Sequence, residues 1–249
     1  MEKVSQTEVL QLHEHFKDLL LIDKFDPQLE FWHKRKLEKS QSETREDAMV
    51  WNVFRTLNQI DRKLWVEQLF YLAFQNEFSH PTDQIQIKLW KKIRPPKSLP
   101  VKEGKTDIDI IIESDTFVWF IEAKYKTDIV LNTDNHQTRD EIIRNIDAGT
   151  NYARKRPFYF SLLILDRYNS PVGFRLANEY GKSENRVREL LPHRAELPFP
   201  KGISVVHWQE VQALFKTIYL YSKNKYERFI ADRVSYWLLE KIRDEQSSY

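Results

Sequence analysis

Apolar residues recur every three to four positions along several segments of the chain, a spacing typical of amphipathic helices. The helices predicted in this way cover roughly residues 5–22, 27–38, 44–57, 61–75, 137–154, 208–222 and 225–244. Between them lie runs rich in β-branched and aromatic residues, which predict strands near residues 85–90, 106–124, 158–165 and 203–207. Strands that alternate with helices favour an α/β fold with a mixed sheet.

Two segments show neither the helical spacing nor the residue types of strands. The Pro-rich stretch Pro95–Pro100 predicts a loop after the first strand. Residues 166–202 are rich in Pro, Asn, Gly and charged residues, so we expect a long loop there with one short helix near 184–191.

The run 106–124 holds the densest candidate chemistry, because acidic residues interrupt two apolar strands joined by a short turn. Side chains alternate between the two faces of a strand, so Asp107 and Asp109 share one face of the first strand. Glu122 and Lys124 share one face of the second strand for the same reason. If the strands pair as a hairpin, three carboxylates and one ammonium group meet at one end of an apolar sheet.

Such a cluster points to a metal ion. Neighbouring carboxylates repel each other, and the repulsion forces one of them to take up a proton. A divalent cation removes this repulsion, and Mg²⁺ takes oxygen ligands. The alternative is a water-facing sheet surface with Glu122 and Lys124 as a simple ion pair. The apolar run Trp119–Ile121 favours a strand covered on both faces, and charged residues at its end then indicate a site.

This hairpin resembles the PD-(D/E)XK nuclease superfamily, which includes many restriction and repair endonucleases. Asp109 corresponds to the motif aspartate, and Glu122, Ala123 and Lys124 correspond to the E-x-K tripeptide. Ile108 stands where the family often has proline, which is a common departure. The β-branched runs on both sides, the turn between them and the helix signal that follows add specificity to an otherwise short motif.

The resemblance implies an architecture for the whole chain. A restriction endonuclease-like α/β core, with a mixed four- to five-stranded sheet flanked by helices, would span residues 41–210. Residues 1–40 would form an N-terminal helical extension, and residues 211–249 would form C-terminal helices. All 249 residues are expected to belong to a single domain.

The resemblance also implies a Mg²⁺-dependent endonuclease that cuts the phosphodiester bonds of DNA, with Mn²⁺ as a substitute ion. Asp109, Glu122 and the backbone carbonyl of Ala123 would hold the ion, which lowers the pKa of a bound water. Lys124 would orient or deprotonate that water, or stabilise negative charge in the transition state. Glu46 would hold a metal-bound water or a second ion, and it completes the expected catalytic set.

Glu46 enters this set through helical spacing. The apolar stripe of the helix near 44–57 includes Val50 and Leu57, and its extension toward the N-terminus reaches Glu46 and Glu43. A carboxylate in line with a core-facing stripe suggests a polar pocket. The alternative is that acidic residues favour the first helical turn because of the helix dipole. Asp47 is explained by a pairing with Thr44 that resembles a capping box.

Three further residues are candidates for auxiliary roles. Gln137 and Arg144 lie with Glu141 on one stripe of the helix that follows the hairpin, where related nucleases often place polar residues beside the site. The alternative is a Glu–Arg pair on a solvated surface. Asp107 either assists the site or caps its strand.

Charge distribution suggests where nucleic acid would bind. The formal net charge is only +2, so bulk attraction to a polyanion is weak. Local basic clusters stand at residues 34–36, 91–97 and 154–156. The cluster at 91–97 adjoins the acidic hairpin, so its cations are the expected phosphate contacts: Lys91, Lys92, Arg94 and Lys97. Each cluster could equally be a solvated surface.

Composition excludes several other classes of protein. The chain has no cysteine, which excludes disulfides and thiol nucleophiles, and its 41% hydrophobic content argues against disorder. We expect a cytoplasmic protein without membrane contact, because neither a signal peptide nor an apolar run of about 18 residues is present. Neither a P-loop nor a G-x-S-x-G elbow occurs.

Two alternatives remain open at this stage. The chain could be a non-catalytic member of the same fold that binds nucleic acid or a protein. It could also be an unrelated interaction protein whose contact surface is formed by Trp51, Trp65 and Trp237. Many nucleases of this superfamily dimerise, but the sequence shows no coiled coil or other self-association device. Four aromatic residues of the last two helices could pack on the sheet or form a homodimer contact: Phe215, Tyr219, Tyr236 and Trp237.

Overall fold

A five-stranded mixed sheet organises the protein. The computed structural model describes residues 17–29, 41–100, 103–131, 139–194 and 198–246. The strands, in their order across the sheet, are β1 (Gln86–Ile93), β2 (Thr106–Glu113), β3 (Val118–Ala123), β4 (Phe158–Ile164) and β5 (Gly202–His207). The pairs β1–β2 and β2–β3 are antiparallel, whereas β3–β4 and β4–β5 are parallel. The predicted α/β class and mixed sheet are therefore confirmed.

Helices cover both faces of this sheet. They are α1 (Gln41–Leu57), α2 (Val66–Phe74), α3 (Glu141–Ala153), α4 (Pro171–Lys182), α5 (Glu184–Leu190), α6 (Trp208–Tyr221) and α7 (Lys225–Gln246). The apolar sides of α1, α2, α6 and α7 pack on one face of the sheet. The apolar sides of α3, α4 and α5 pack on the other face. None of the helices in the described ranges combines the length and the apolar character that a membrane span needs.

The central strand β3 is buried along its whole length. Its alternate side chains enter the two cores, with Trp119 in the first and Phe120 in the second. This explains its continuous apolar sequence, because a strand between two covered faces has no water-facing side. The Trp119 indole donates to Ser161 Oγ at 2.9 Å, so its one polar atom is satisfied.

The long loop predicted at 166–202 is wrong, because α4 occupies Pro171–Lys182, whereas the short helix predicted near 184–191 is confirmed as α5. Proline is compatible with the first turn of a helix, where its missing N–H would have no partner. The Asp128 carboxylate accepts the N–H groups of Val172 and Gly173, each at 2.8 Å. A Cβ atom at Gly173 would lie 2.8 Å from the side chain of Leu162, so glycine permits close packing on β4. The residues that suggested a loop thus dock a helix.

The N-terminal helices predicted at 5–22 and 27–38 lie largely outside the described residues. Within the described stretch 17–29, residues 20–26 form turns rather than helix. This stretch packs on α1, where the Trp51 indole donates to the Ile22 carbonyl at 2.9 Å and the Asn52 amide donates to the Leu19 carbonyl at 3.0 Å.

Candidate tryptophans for an interaction surface are mostly internal. Trp51 and Trp65 are fully buried, and Trp237 packs partly buried against the core. These tryptophans fill the protein core, so as a group they do not form an exposed contact surface.

Candidate active site

The strands β2 and β3 separate at the predicted acidic residues. Their backbone pairing runs from Glu113 opposite Val118 to Ile110 opposite Ile121. Asp109 and Glu122 are the next two residues in this register. At that level the Asp109 side chain replaces a ladder bond, since its Oδ2 accepts the Ala123 N–H at 3.0 Å. The structure therefore brings Asp109 and Glu122 to the same end of the hairpin.

Lys124 and Glu122 form a buried pair beside this gap. Lys124 Nζ lies 2.8 Å from Glu122 Oε1 and 3.2 Å from Glu141 Oε2, at the start of α3. The amide of Asn145, one turn further along α3, donates to Glu122 Oε2 at 2.8 Å. Only 4% of the Glu122 side chain and 10% of the Lys124 side chain are exposed. Water can do little to solvate either charge, so the neighbouring charges govern both groups.

The backbone of Lys124 is held firmly in place. Its N–H donates to the Leu163 carbonyl of β4 at 2.8 Å, and its carbonyl accepts the buried Trp208 indole N–H at 3.0 Å. The strand β4 and a buried tryptophan of the first core thus fix the residue that carries the ammonium group. Such anchoring limits the positions that the side chain can reach.

Glu46 reaches the same site from α1. Its Oε2 accepts the Tyr125 N–H at 2.9 Å and the Thr127 hydroxyl at 2.8 Å. Its charge acts on both Lys124 and Asp109. Helical spacing from the apolar stripe of α1 therefore identified a carboxylate that lies beside the ends of the two hairpin strands. The side chain of Glu43 lies outside the described residues.

Burial and repulsion raise the pKa of two of these carboxyl groups. The pKa of Glu122 is raised well above its usual value, first by burial and then by the negative charge of Asp109, despite the opposing effect of Lys124. The pKa of Glu46 is raised by burial and by Asp109, again against Lys124. Both groups therefore hold their negative charge at a cost in free energy.

The charge of Lys124 is correspondingly favoured. Burial alone would lower its pKa, but the carboxylates of Glu122, Glu141, Glu46 and Asp109 outweigh burial and raise the pKa well above the usual value. Glu141 behaves in the opposite way to Glu122. Burial would raise its pKa, but Lys124 and the Val130 N–H outweigh burial and lower it. One ammonium group is thus shared among four carboxylates.

A strained residue lies across from Asp109 on β1. Trp90 stands between the residues that pair with Ile108 and Ile110, and it has a φ of 50°. This left-handed conformation is unfavourable for a bulky side chain and is common near functional sites. Trp90 stacks on the buried Trp51 with ring centroids 5.6 Å apart, and this contact helps to hold the conformation.

The three auxiliary candidates fare differently. Asp107 lies at the exposed end of β2, where its Oδ2 is 3.2 Å from Lys92 Nζ. Arg144 Nε lies 3.2 Å from Glu103 Oε1, in the segment that precedes β2. Arg144 therefore forms an ion pair with Glu103. Gln137 lies outside the described residues.

Sequence reasoning missed two residues of the cluster, Glu141 and Asn145. They are four positions apart on α3 and so face the same direction. Glu141 was visible only as part of a polar stripe beside Arg144. Asn145 stands among the buried isoleucines of the helix, and a polar residue in that position was the available signal.

The predicted phosphate contacts line one groove beside β1. Lys91, Lys92, Arg94 and Lys97 lie there together with three arginines from elsewhere in the chain, which are Arg154, Arg156 and Arg194. Tyr152 forms part of the wall, and its hydroxyl lies 3.3 Å from Lys91 Nζ. One groove residue, Lys92, pairs with Asp107, two positions before Asp109 on β2. Two others, Tyr152 and Arg156, bond to Glu113 at the other end of that strand. Two basic clusters that are far apart in sequence therefore form one surface.

The donor groups at the site fit Mg²⁺ only in part as they stand. Within the described ranges, no three His, Cys, Asp or Glu side chains stand together closely enough to hold a metal ion. Mg²⁺ needs fewer, since it usually binds through one or two carboxylates and keeps several waters. Asp109 and Glu122 supply two carboxylates. The nearby Asn145 Oδ1 is buried without a hydrogen-bond partner among the described residues, which suits a bound water.

Comparison with protein-family models found no match, and comparisons with curated proteins and with solved structures found none either. The resemblance to the PD-(D/E)XK superfamily therefore stays a prediction that depends on the residues of the hairpin.

Replacing Glu122 by glutamine should stabilise the protein at neutral pH. The folded state raises the pKa of Glu122, so the carboxylate destabilises the fold once the pH exceeds its ordinary value of 4.5. Glutamine keeps the shape and removes that charge. We expect Glu122→Gln to unfold at a higher temperature than the wild type at pH 7–8, because only the wild type must hold this buried negative charge in the folded state.

The same difference should shrink as the pH falls below 4.5, because the unfolded wild-type carboxyl group is then neutral as well. Thermal unfolding followed by circular dichroism across pH 4–8 measures it. The matched control is Glu67→Gln on the surface of α2, which should show no such trend. A Glu122→Gln protein that is less stable than the wild type at pH 8 would show that the Glu122 carboxylate does not destabilise the fold.

Proposed function

We propose that the protein is a Mg²⁺-dependent phosphodiesterase that cleaves nucleic acid, with DNA as the expected substrate. The observation that carries this proposal is the convergence of Asp109, Glu122 and Lys124 at the separated ends of two paired strands. Glu46 joins them from a helix that is distant from the hairpin in sequence. These residue types, in this spatial arrangement, support hydrolysis of a phosphodiester.

The cost of the cluster argues for a chemical role. A buried ion pair is often no more stable than apolar residues of similar volume. Here one ammonium group serves four carboxylates, and the pKa of Glu122 is raised despite the pairing. An apolar strand end would pack between the two cores without this penalty. Perturbed pKa values of this kind concentrate at functional sites.

Asp109 and Glu122 would hold the ion, and the Ala123 carbonyl is the third expected ligand. When bound, a divalent ion polarises the phosphate and lowers the pKa of a coordinated water. Asp109 is prepared for this role because its carboxylate is oriented by the Ala123 N–H. Asn145 orients the Glu122 carboxylate in the same manner.

Lys124 would act on the phosphate and on the attacking water. Its ammonium group lies at the centre of the carboxylates, so it can donate a hydrogen bond to a phosphate oxygen and oppose the charge that develops there. Glu141 also holds this ammonium group, with its Oε2 3.2 Å from Lys124 Nζ. A bound divalent cation would compete with Lys124 for Glu122, and this competition would direct the ammonium group toward the substrate.

Glu46 would hold water at the edge of the site. Both of its hydrogen bonds within the described protein are accepted by Oε2, from Tyr125 and Thr127. Its Oε1 therefore keeps lone pairs for a water molecule or a second ion. The proximity of its charge to Asp109 supports a role beside the first ion.

The basic groove would position the substrate. Seven cationic side chains line it, and cations of this kind release counterions when they contact phosphates. The groove is linked to β2 through the pair of Lys92 with Asp107, and Asp109 lies two residues further along that strand. Three of the seven cations are already paired with carboxylates, namely Lys92, Arg156 and Arg194. The other four would therefore carry most of the phosphate contacts.

The alternative is a non-catalytic member of the same fold that binds nucleic acid. One observation favours it, namely that the Lys124 ammonium group already neutralises Glu122 and Glu141. In that case the cluster would be a closed ionic network, and the groove would carry the function alone.

Cleavage assays separate these two proposals. We expect the wild type to cut supercoiled plasmid with Mg²⁺ or Mn²⁺ and to be inactive in EDTA. Lys124→Met and Asp109→Asn should each lower the rate by at least about 100-fold, because each removes charge stabilisation that the transition state needs. Asp115→Asn, at the exposed turn of the same hairpin, is the matched control and should retain wild-type activity.

Single-stranded RNA and single-stranded DNA should be tested beside the plasmid. A wild type that binds nucleic acid but cuts none of these substrates with either metal would favour the non-catalytic alternative.

The groove can be tested separately from the chemistry. The double variant Lys91→Ala with Arg94→Ala should raise the Kd for nucleic acid about tenfold and leave kcat close to the wild-type value. Each lost phosphate contact also reduces the dependence of log Kd on log salt concentration by about 0.9. Fluorescence anisotropy at several salt concentrations measures both effects.

Lys182→Ala with Lys216→Ala is the matched control, since it removes two exposed lysines from α4 and α6. If this control weakened binding as much as the groove variant, nucleic acid would be attracted by overall charge and not by the groove.

A further inference from the structure

The outer side of α7 carries an unusual concentration of exposed aromatic residues. Among the described residues, eleven large apolar side chains are exposed, and six of them lie on α6 and α7. Tyr226, Phe229 and Tyr236 of α7 are 52%, 57% and 63% exposed. Large exposed apolar side chains grouped in this way often mark a contact surface.

The exposed residues of α7 form a regular stripe. Its members lie alternately three and four positions apart along the helix: Tyr226, Phe229, Arg233, Tyr236, Glu240 and Arg243. The opposite side of α7 is buried in the core through Ile230, Val234, Leu238 and Ile242. A repeat of three and four residues is the spacing of a seam between two packed helices. The monomer uses one side of α7, and the stripe lies on the other.

The order of residues along this stripe matches itself in reverse. When a second α7 is placed antiparallel about a two-fold axis between Arg233 and Tyr236, Arg233 of each copy faces Tyr236 of the other. Tyr226 then faces Arg243, and Phe229 faces Glu240. Each Glu240 also lies one layer away from Arg233 of the other copy. Four of the six layers therefore pair an arginine with a tyrosine ring, a favourable cation–π contact.

A parallel arrangement of the same two helices would be unfavourable. It would place Arg233 against Arg233, Glu240 against Glu240 and Arg243 against Arg243. Like charges that meet in this way repel and exclude the arrangement. The stripe is therefore complementary to itself in the antiparallel orientation, in which both copies use the same surface about a two-fold axis.

We propose that this protein forms an antiparallel homodimer through the α7 stripe of two copies. Tyrosine, phenylalanine and arginine are the residue types enriched at the centres of protein interfaces. The stripe from Tyr226 to Arg243 is roughly 26 Å long at 1.5 Å per residue. This proposal does not depend on the proposed hydrolytic activity.

The dimer helix is connected to the candidate active site within each copy. The hydroxyl of Tyr125, the residue after Lys124, donates to the Lys241 backbone carbonyl of α7 at 2.8 Å. Two active sites would therefore be held at a fixed separation in one particle. Nucleic acid is the competing occupant of the stripe, because the exposed Arg228, Arg233 and Arg243 outnumber Asp232 and Glu240. The pairing of Arg233 with Tyr236 in both copies favours a second copy, and the test below separates the two occupants.

Sedimentation equilibrium of the full chain tests the dimer. The wild type should show a particle of twice the 30.1 kDa chain mass. Tyr236→Arg places an arginine against Arg233 of the other copy, at two equivalent positions, and should weaken the dimer by at least about tenfold in Kd. Arg233→Glu alone removes the cation–π pairs and should also weaken it.

The double variant Arg233→Glu with Tyr236→Arg provides the sharpest test. In the antiparallel register it places the introduced carboxylate at position 233 of one copy opposite the introduced guanidinium group at position 236 of the other. This pairing occurs at two equivalent positions, so the dimer should return. Other registers do not bring these two positions together.

All variants lie on the exposed surface, and circular dichroism should show unchanged folding. Lys182→Glu, on α4 at the other face of the sheet, is the charge-reversal control and should remain dimeric.

A wild type that stays at the mass of one chain up to a protein concentration of about 100 μM would overturn the proposal. A dimer that survives Tyr236→Arg, or a double variant that stays monomeric, would also overturn it. If Tyr236→Arg leaves the mass unchanged but alters the affinity for nucleic acid, the stripe belongs to a nucleic-acid contact instead.

Discussion

Repulsion among buried carboxylates is the constraint around which this structure is arranged. Asp109, Glu122, Glu141 and Glu46 come from two strands and two helices, and one ammonium group, that of Lys124, lies among them. The surrounding fold resists their separation, because β4 and the Trp208 indole hold the backbone of Lys124 in place through hydrogen bonds. The free energy that packing provides is thus used to maintain a charge arrangement that water would otherwise disperse. A divalent cation would relieve this repulsion.

The remaining features follow from where this cluster lies on the sheet. The strands β2 and β3 separate at the acidic end, and the basic groove lies beside the edge strand β1. The helices that cover the first face present the outer side of α7 to solvent, away from the groove. Chemistry, substrate contact and self-association would therefore use three separate surfaces, and variants at one should leave the others intact. This separation makes each of the three proposals testable without disturbing the other two.

Local sequence patterns anticipated much of the fold and part of the candidate site. Alternation along a hairpin was enough to bring Asp109 to Glu122, because short turns fix strand register. Helical spacing was enough to direct Glu46 toward the sheet. Glu141 and Asn145 were missed because their relation to Lys124 depends on how α3 crosses the sheet, which no local pattern encodes. Helix α4 was missed because its glycines and proline serve packing and capping contacts with distant residues. The groove likewise joins two basic clusters that only the fold brings together.

Anomalous scattering from a crystal grown with Mn²⁺ tests the central claim most directly, because it locates the ion without requiring activity. We predict one strong peak within bonding distance of carboxylate oxygens of both Asp109 and Glu122, with the Lys124 ammonium group displaced from Glu122. The absence of any peak there at saturating Mn²⁺, with Lys124 Nζ still 2.8 Å from Glu122, would contradict it. The cluster would then be a self-contained ionic network rather than a metal site.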